Sequence, residues 1–280
     1  MTRRALIALL RPHHWVKNVL VFAPVVFAGA LFSPSAMVAS AIAFLAFCAA
    51  ASAVYIFNDL RDIEEDRAHP KKQQRPLANG SVTVKEALTL LGVAFACALL
   101  FSLATPSLLH IIFFYIGLNI VYTLFLKHVA IVDSVFVSSF YVLRVVAGGV
   151  VAQVTLSPWI ILATFFLALF LVVGKRRGEH AHPKRRVALD GYAKETLDGL
   201  LLGSALLSVA TYSLWVILTH PTTLAVCSVM VVTAVVFRML NHLYLHPEDA
   251  ETPEKAVFKD KWIFIATILW GFLMLGLLYL

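Results

Sequence analysis

The chain is poor in cysteine and in charge. It has 280 residues, of which 3 are cysteine and 14% are charged, while 60% fall in the set AVILMFWYC. Three cysteines make no disulfide framework. Cys48, Cys97 and Cys227 lie in apolar runs without a CxxC or a neighbouring histidine, so they read as small buried hydrophobes rather than metal ligands. Soluble domains carry roughly 25% charged and 45–50% apolar residues. The shortfall in charge excludes a disordered chain and a nucleic-acid-binding module, and a mean hydropathy of +0.85 agrees. Also missing are a fixed-period repeat, a low-complexity stretch and a GxxxG-dominated pattern. The opening MTRRALIALLRPHHW shows no small-residue cleavage site after its apolar run, so it is not expected to be a cleavable signal.

What is present is a series of long apolar runs. A membrane-spanning helix needs about 20 such residues. Nine stretches qualify: 16–33, 36–58, 86–104, 107–126, 129–152, 157–174, 197–217, 222–240 and 261–280. Pro34, Pro106, Pro158 and Pro221 stand at four of the joints, where a missing N–H does least harm. The expected fold is all-α: a polytopic bundle of nine transmembrane helices forming one domain over 1–280. All but one of the 23 Lys and Arg residues fall on one side, in the N-terminus and the connections 59–85, 127–128, 175–196 and 241–260, or at the span ends beside them. The exception, Arg144, lies inside a span. The asymmetry makes the charged side cytoplasmic. The opposite loops are only a few residues long, so the working groups are expected at a cytoplasm-facing mouth, in a multi-pass protein of the inner (plasma) membrane.

The densest chemistry closes the second span, where Asn58-Asp59-Leu60-Arg61-Asp62-Ile63-Glu64-Glu65-Asp66 reads N-D-x-x-D-x-x-x-D. On a continuing helix Asn58, Asp62 and Asp66 share one face, and Asp59 joins the patch from three residues before Asp62. Carboxylates gathered this way stay ionised together only with a cation. Hard oxygen donors suit Mg²⁺, which binds through one or two carboxylates plus substrate phosphates. Asn58, Asp59, Asp62 and Asp66 are therefore the candidate metal set. Arg75, with Lys71 and Lys72, follows in HPKKQQRPLANG and is placed to hold phosphate oxygens. A second polar patch, Gly174-Lys175-Arg176-Arg177-Gly178-Glu179-His180, precedes Lys184-Arg185-Arg186 and Tyr192. Its cations suit either a phosphorylated substrate or anionic lipid head groups. Asp133, near the mouth, and Tyr122 and Lys127, ending the fourth span, are further candidates, because charge within a span is expensive and tends to be functional. Arg144 sits deeper and reads equally as structural. His13, His14, His110, His220, His242 and His246 are scattered and read as interfacial or structural.

These residues resemble the UbiA-like intramembrane prenyltransferase superfamily over nearly the whole chain. The similarity rests on NDxxDxxxD, on HPKKQQRPLANGSV after it, and on YTLFLK at 122–127. It implies Mg²⁺ bound with a diphosphate and a lipid chain in a bilayer-open cavity. Most members carry a second DxxxD-type motif between helices six and seven. Here GKRRGE takes that place. With RPHHWVKNVLVFAPVVFAG at the start and PEDAETPEKAVFKDKW near the end, the pattern resembles the decaprenyl-phosphate phosphoribosyltransferase branch. That likeness implies Mg²⁺-dependent transfer of 5-phosphoribose from phosphoribosyl diphosphate to a polyprenyl phosphate, feeding cell-wall arabinose donors. Asp59, Asp62 and Asp66 would be catalytic through the metal. Lys17, Asn58, Arg75, Tyr122, Lys127, Asp133, Lys175, Arg176, Arg177, Glu179 and Tyr192 would bind substrate. The alternative is transfer of a polyprenyl group to an aromatic or other small acceptor, and a transporter of phosphorylated solutes is a third reading. The partners expected are the two substrates and the bilayer. The sequence leaves room for a homo-oligomer without fixing one.

Overall fold

A computed structural model describes residues 3–68, 72–180, 191–246 and 257–280. Lys71, Lys184, Arg185, Arg186 and most of the PEDAETPEKAVF stretch lie outside them. Every regular element among the described residues is helical. The α-helices are α1 (Arg3–Leu10), α2 (Ala23–Phe27), α3 (Pro34–Arg61), α4 (Ile63–Ala68), α5 (Val84–Ser102), α6 (Pro106–Val121), α7 (Val132–Ala152), α8 (Pro158–His180), α9 (Lys194–Thr219), α10 (Thr223–Leu245) and α11 (Lys261–Tyr279). Among the described residues, eight helices are long and apolar enough to cross a membrane. They expose large side chains such as Phe113, Phe114, Met230 and Phe272, as lipid-facing helices do.

The expectation of nine spanning helices is corrected at the first stretch. Residues 16–33 form no long α-helix. The chain runs as a 3-10 helix over Pro12–Phe22 and then as the short α2. Pro24 lies in the first turn of α2, where its missing N–H is tolerated, and the helix stops at Phe27, just before Gly29 takes φ +70°. A 3-10 run of 11 residues is unusual, since most end after three or four. Tertiary contacts hold this one. Asn18 receives the Arg144 Nε–H at 2.7 Å and donates to Cys48 Sγ at 3.3 Å. Trp15 donates to Ser52 Oγ at 3.0 Å. The facing helix α3 is lined with Ala43, Ala46, Ala50, Ala51 and Ala53, all buried, and small residues let two backbones approach closely in a membrane.

The described contacts group into two compact units. The first comprises residues 1–124 and 143–155, the second 125–142 and 156–280. In the first, α5 and α6 pack on α3, with α1 and the 3-10 helix along it. An apolar cluster of Leu9, Ile56, Leu77, Val82 and Ala87 closes its polar end. A cleft of about 460 Å³ in this unit, lined by Pro34, Val38, Ile42 and Leu108 among others, lies at the opposite end of α3 from Asp59 and is apart from the acidic motif. In the second, α8 packs on α9, α9 on α10 and α10 on α11 around Phe170, Val173, Leu197, Leu201, Met239 and Leu243. Asp260 caps α11, accepting from Trp262 N at 2.9 Å, Ile263 N at 3.3 Å and Arg238 Nε at 2.8 Å. Burial works against its charge, but Arg238 and the two backbone N–H groups outweigh it and hold the carboxyl below its usual range.

Gly148 marks the closest approach in the first unit. A Cβ there would lie 1.9 Å from the Val21 carbonyl oxygen. Gly148→Ala is expected to destabilise the protein by about 1–3 kcal/mol, the usual cost of overpacking. Gly271→Ala, where nothing lies within 4 Å, is the matched control with little effect. Thermal unfolding of the two purified variants in detergent, followed by tryptophan fluorescence, checks this.

Candidate functional site

The acidic motif sits where α3 ends. Asp62 is the break, at φ −96° and ψ 17°, yet the helical spacing survives it: Asp62 N donates to Asn58 O at 2.9 Å and Asp66 N to Asp62 O at 2.8 Å. Asp59 and Asp66, seven residues apart, therefore share a face. They are 2% and 1% exposed, whereas Asp62 is half-buried. A single guanidinium nitrogen of Arg75 donates to Asp59 Oδ1 at 3.0 Å and to Asp66 Oδ2 at 2.6 Å. Arg11 donates to the same Asp59 oxygen at 2.5 Å. Lys72 Nζ lies 3.9 Å from Asp66 Oδ1. That oxygen is buried and accepts no hydrogen bond.

Local sequence explains how the cations arrive. After α4 the chain turns back through Lys72–Gln74 and an Asn79-Gly80 turn, in which Gly80 takes φ +75° and Ser81 N donates to Asn79 Oδ1 at 2.9 Å. Leu77 and Val82, both buried, seat the loop in the cluster under α3, and Arg75 is thereby laid against the carboxylates. Arg11 precedes Pro12, where the α conformation is disfavoured. It sits at φ 53°, a strained position for a side-chain-bearing residue, with its guanidinium 5.1 Å over the Tyr55 ring. Asn58 is turned elsewhere: its Oδ1 accepts from Thr123 Oγ1 at 2.8 Å. Thr123 belongs to the π-helical turn Tyr122–Leu126 that follows α6. Tyr122 is half-buried in that turn, and Lys17 is half-buried on the 3-10 helix, one residue before Asn18.

The second unit holds its own polar cluster. Arg176, 4% exposed, donates to both oxygens of Asp133, at 2.6 Å from Nε and 3.2 Å from Nη2, and to Glu179 Oε2 at 3.0 Å. Lys175 lies 4.0 Å from Glu179 Oε1 and is the most exposed of the three basic residues, at 39%. Arg177 donates to Asp198 Oδ1 at 2.5 Å and stacks 4.1 Å over Tyr244. Tyr192 is buried. Its hydroxyl accepts from Ile131 N at 2.5 Å and hydrogen-bonds Ser134 Oγ at 3.1 Å, fixing a turn in which Ile131 takes φ 67°. Half-buried Lys127 is four residues before it. Arg144 is part of neither cluster. It is held by Asn18 and the Tyr115 hydroxyl at 2.7 and 3.1 Å, with its guanidinium over the Phe47 and Tyr115 rings.

The expected residues thus divide between the two units. Lys17, Asn58, Asp59, Asp62, Asp66, Arg75 and Tyr122 belong to the first, and Lys127, Asp133, Lys175, Arg176, Arg177, Glu179 and Tyr192 to the second. Arg11, Thr123 and Asp198 were missed. None had a local signal, because each of the three is defined by a partner distant in sequence. Among the described residues no three acidic, histidine or cysteine side chains converge as a ready metal cage. The two buried aspartates are instead drawn together by Arg75. A hard-oxygen set with one buried carboxylate oxygen lacking a hydrogen bond still fits a cation that keeps part of its water and takes phosphate as co-ligand.

Residues 19–268 match the UbiA prenyltransferase family. The chain belongs to that family. Among curated relatives it is 38% identical over 220 residues to a decaprenyl-phosphate phosphoribosyltransferase of Mycolicibacterium smegmatis, covering 75% of this chain and 69% of that protein. It is 39% identical over 216 residues to one of Mycobacterium tuberculosis, covering 74% and 72%. In fold it is similar to a UbiA homolog from Archaeoglobus fulgidus bound to GPP and Mg²⁺, with a TM-score of 0.73 at 18% identity over 99% of this chain and 100% of that one. The protein is a multi-pass integral membrane transferase of the UbiA family.

Asp133→Asn leaves the Arg176 charge buried beside a neutral amide. It is expected to cost about 3–5 kcal/mol, the penalty for breaking a buried pair. Glu64→Gln breaks the exposed Arg67 pair and is expected to cost under about 1 kcal/mol. Denaturant unfolding of the two variants checks the contrast.

Proposed function

We propose that the protein transfers 5-phosphoribose from 5-phosphoribosyl 1-diphosphate to a polyprenyl phosphate such as decaprenyl phosphate, releasing diphosphate, as one transferase domain over 1–280. The family and the relatives at 38% and 39% identity support this reading. The observation that carries its chemistry is the pair of buried aspartates sharing Arg75 at the end of α3. Asp59, Asp62 and Asp66 would hold Mg²⁺, with Asn58 beside them. Bound there, Mg²⁺ supplies positive charge to a departing diphosphate.

The chain's own residues do the rest by position and charge. Arg75 and Lys72 stand beside the carboxylates and are placed to hold oxygens of the same diphosphate. The bond from ribose C1 to the diphosphate oxygen breaks, and one from C1 to a lipid phosphate oxygen forms. The lipid phosphate is already ionised near neutral pH, so no side chain has to remove a proton. In the second unit, Lys175 is the most exposed of Lys175, Arg176 and Arg177 and is the candidate among the three for a phosphate group, while Asp133 and Asp198 hold Arg176 and Arg177 in place. Lys17, Tyr122 and Lys127 are the remaining candidates for substrate contact. The basic residues mark the cytoplasmic face of the membrane, and the site opens there.

The test is to incubate purified protein with Mg²⁺, a polyprenyl phosphate and phosphoribosyl diphosphate labelled in the ribose. Label is expected in the lipid fraction, to depend on Mg²⁺, and to fall by about 10²-fold or more in Asp62→Ala, the scale of losing a major electrostatic group. An unlabelled lipid, together with alkylation of an aromatic acceptor by a prenyl diphosphate, would establish the alternative prenyl transfer instead.

A further inference from the structure

We infer that Arg75 is the internal counter-ion of the acidic motif, so that divalent metal and diphosphate enter together, the diphosphate drawing Arg75 off Asp59 and Asp66. This rests on the proposed site and concerns how that site fills.

The geometry makes Arg75 and a metal competitors for the same atoms. One guanidinium nitrogen reaches Asp59 Oδ1 at 3.0 Å and Asp66 Oδ2 at 2.6 Å. A metal held by these two carboxylates would contend with the guanidinium for the same oxygens. Asp59 Oδ1 is further covered by Arg11 at 2.5 Å. The oxygen left over, Asp66 Oδ1, is buried without a hydrogen bond, with Lys72 Nζ 3.9 Å away.

Charge arithmetic points the same way. In the ion pairs of the motif, Asp59 and Asp66 stand against Arg11, Lys72 and Arg75, two carboxylates against three cations. A divalent cation alone would add two positive charges to a largely buried group whose carboxylates are already matched, where uncompensated charge is costly. A diphosphate brings the opposing charge and several oxygens that can take Arg75 bidentately. Each ligand then raises the affinity of the other, by the same factor in both directions. Leu77 and Val82 anchor the loop on either side of the Asn79-Gly80 turn, so swinging the side chain is sufficient and the loop stays in place.

The test uses the full-length protein in detergent, with Mn²⁺ as the metal probe followed by electron paramagnetic resonance and ³²P-labelled diphosphate followed by equilibrium binding. The wild type is expected to bind Mn²⁺ alone weakly and to retain diphosphate well only when Mn²⁺ is present. Arg75→Gln is expected to bind Mn²⁺ alone about tenfold more tightly and to lose most of the coupling, within the usual 5–150-fold range of such effects. Arg75→Lys keeps the charge and is expected to stay weak for Mn²⁺ alone; gel-filtration profiles establish that both variants fold. Unchanged or weaker Mn²⁺ binding in Arg75→Gln overturns the inference while leaving the site intact. A wild type that retains neither Mn²⁺ nor diphosphate, together or apart, overturns both the inference and the proposed site.

Discussion

Two carboxylates buried at the end of a membrane-spanning helix cannot remain charged without a cation, and this constraint organises the first unit. Asp59 and Asp66 are almost fully covered. Arg75 bridges them and Arg11 adds a second contact to Asp59. Several otherwise unrelated features serve that contact. The backbone hydrogen bonds across the break at Asp62 keep the two aspartates in helical register. The Asn79-Gly80 turn and the burial of Leu77 and Val82 return Arg75 to them. Pro12 ends α1, so that Arg11 reaches down to α3.

The second unit solves the same problem differently. Asp133 and Arg176 form a bidentate buried pair, with Glu179 on the outer side of the guanidinium. Arg177 is fixed by Asp198 and the Tyr244 ring. A row of basic residues that reads in sequence as a general phosphate grip is thus largely committed within the protein, and Lys175 is left most exposed. A buried pair of this kind adds little net stability but is costly to break. Its value here is to hold the helix end from which Lys175 projects.

Much of this was legible in the sequence, because the signals were local. Long apolar runs gave eight of the spans. The spacing of Asn58, Asp59, Asp62 and Asp66 located the acidic motif, and Arg75 was identified from its place after it. What failed was read from composition alone. Residues 16–33 are apolar enough for a span, but the hydrogen bonds of Asn18 and Trp15 hold a 3-10 path up to Phe22 and the short α2 ends before Gly29, which hydropathy does not register. Arg11 looked like topological charge. Its contact with Asp59 bridges 48 residues, and no local pattern encodes a pairing at that separation. The internal pairing of Arg176 with Asp133, 43 residues apart, was hidden for the same reason.

The central claim is that the acidic motif binds metal together with the diphosphate of a sugar donor. The most direct measurement is an anomalous difference map from crystals grown with Mn²⁺ and phosphoribosyl diphosphate. A peak is expected among Asp59, Asp62 and Asp66, at about 2.0–2.3 Å from their oxygens, with the donor's diphosphate in contact with the metal and Arg75 moved onto phosphate oxygens. A peak away from α3 and α4, or a donor bound with Arg75 still bridging Asp59 and Asp66, would contradict it.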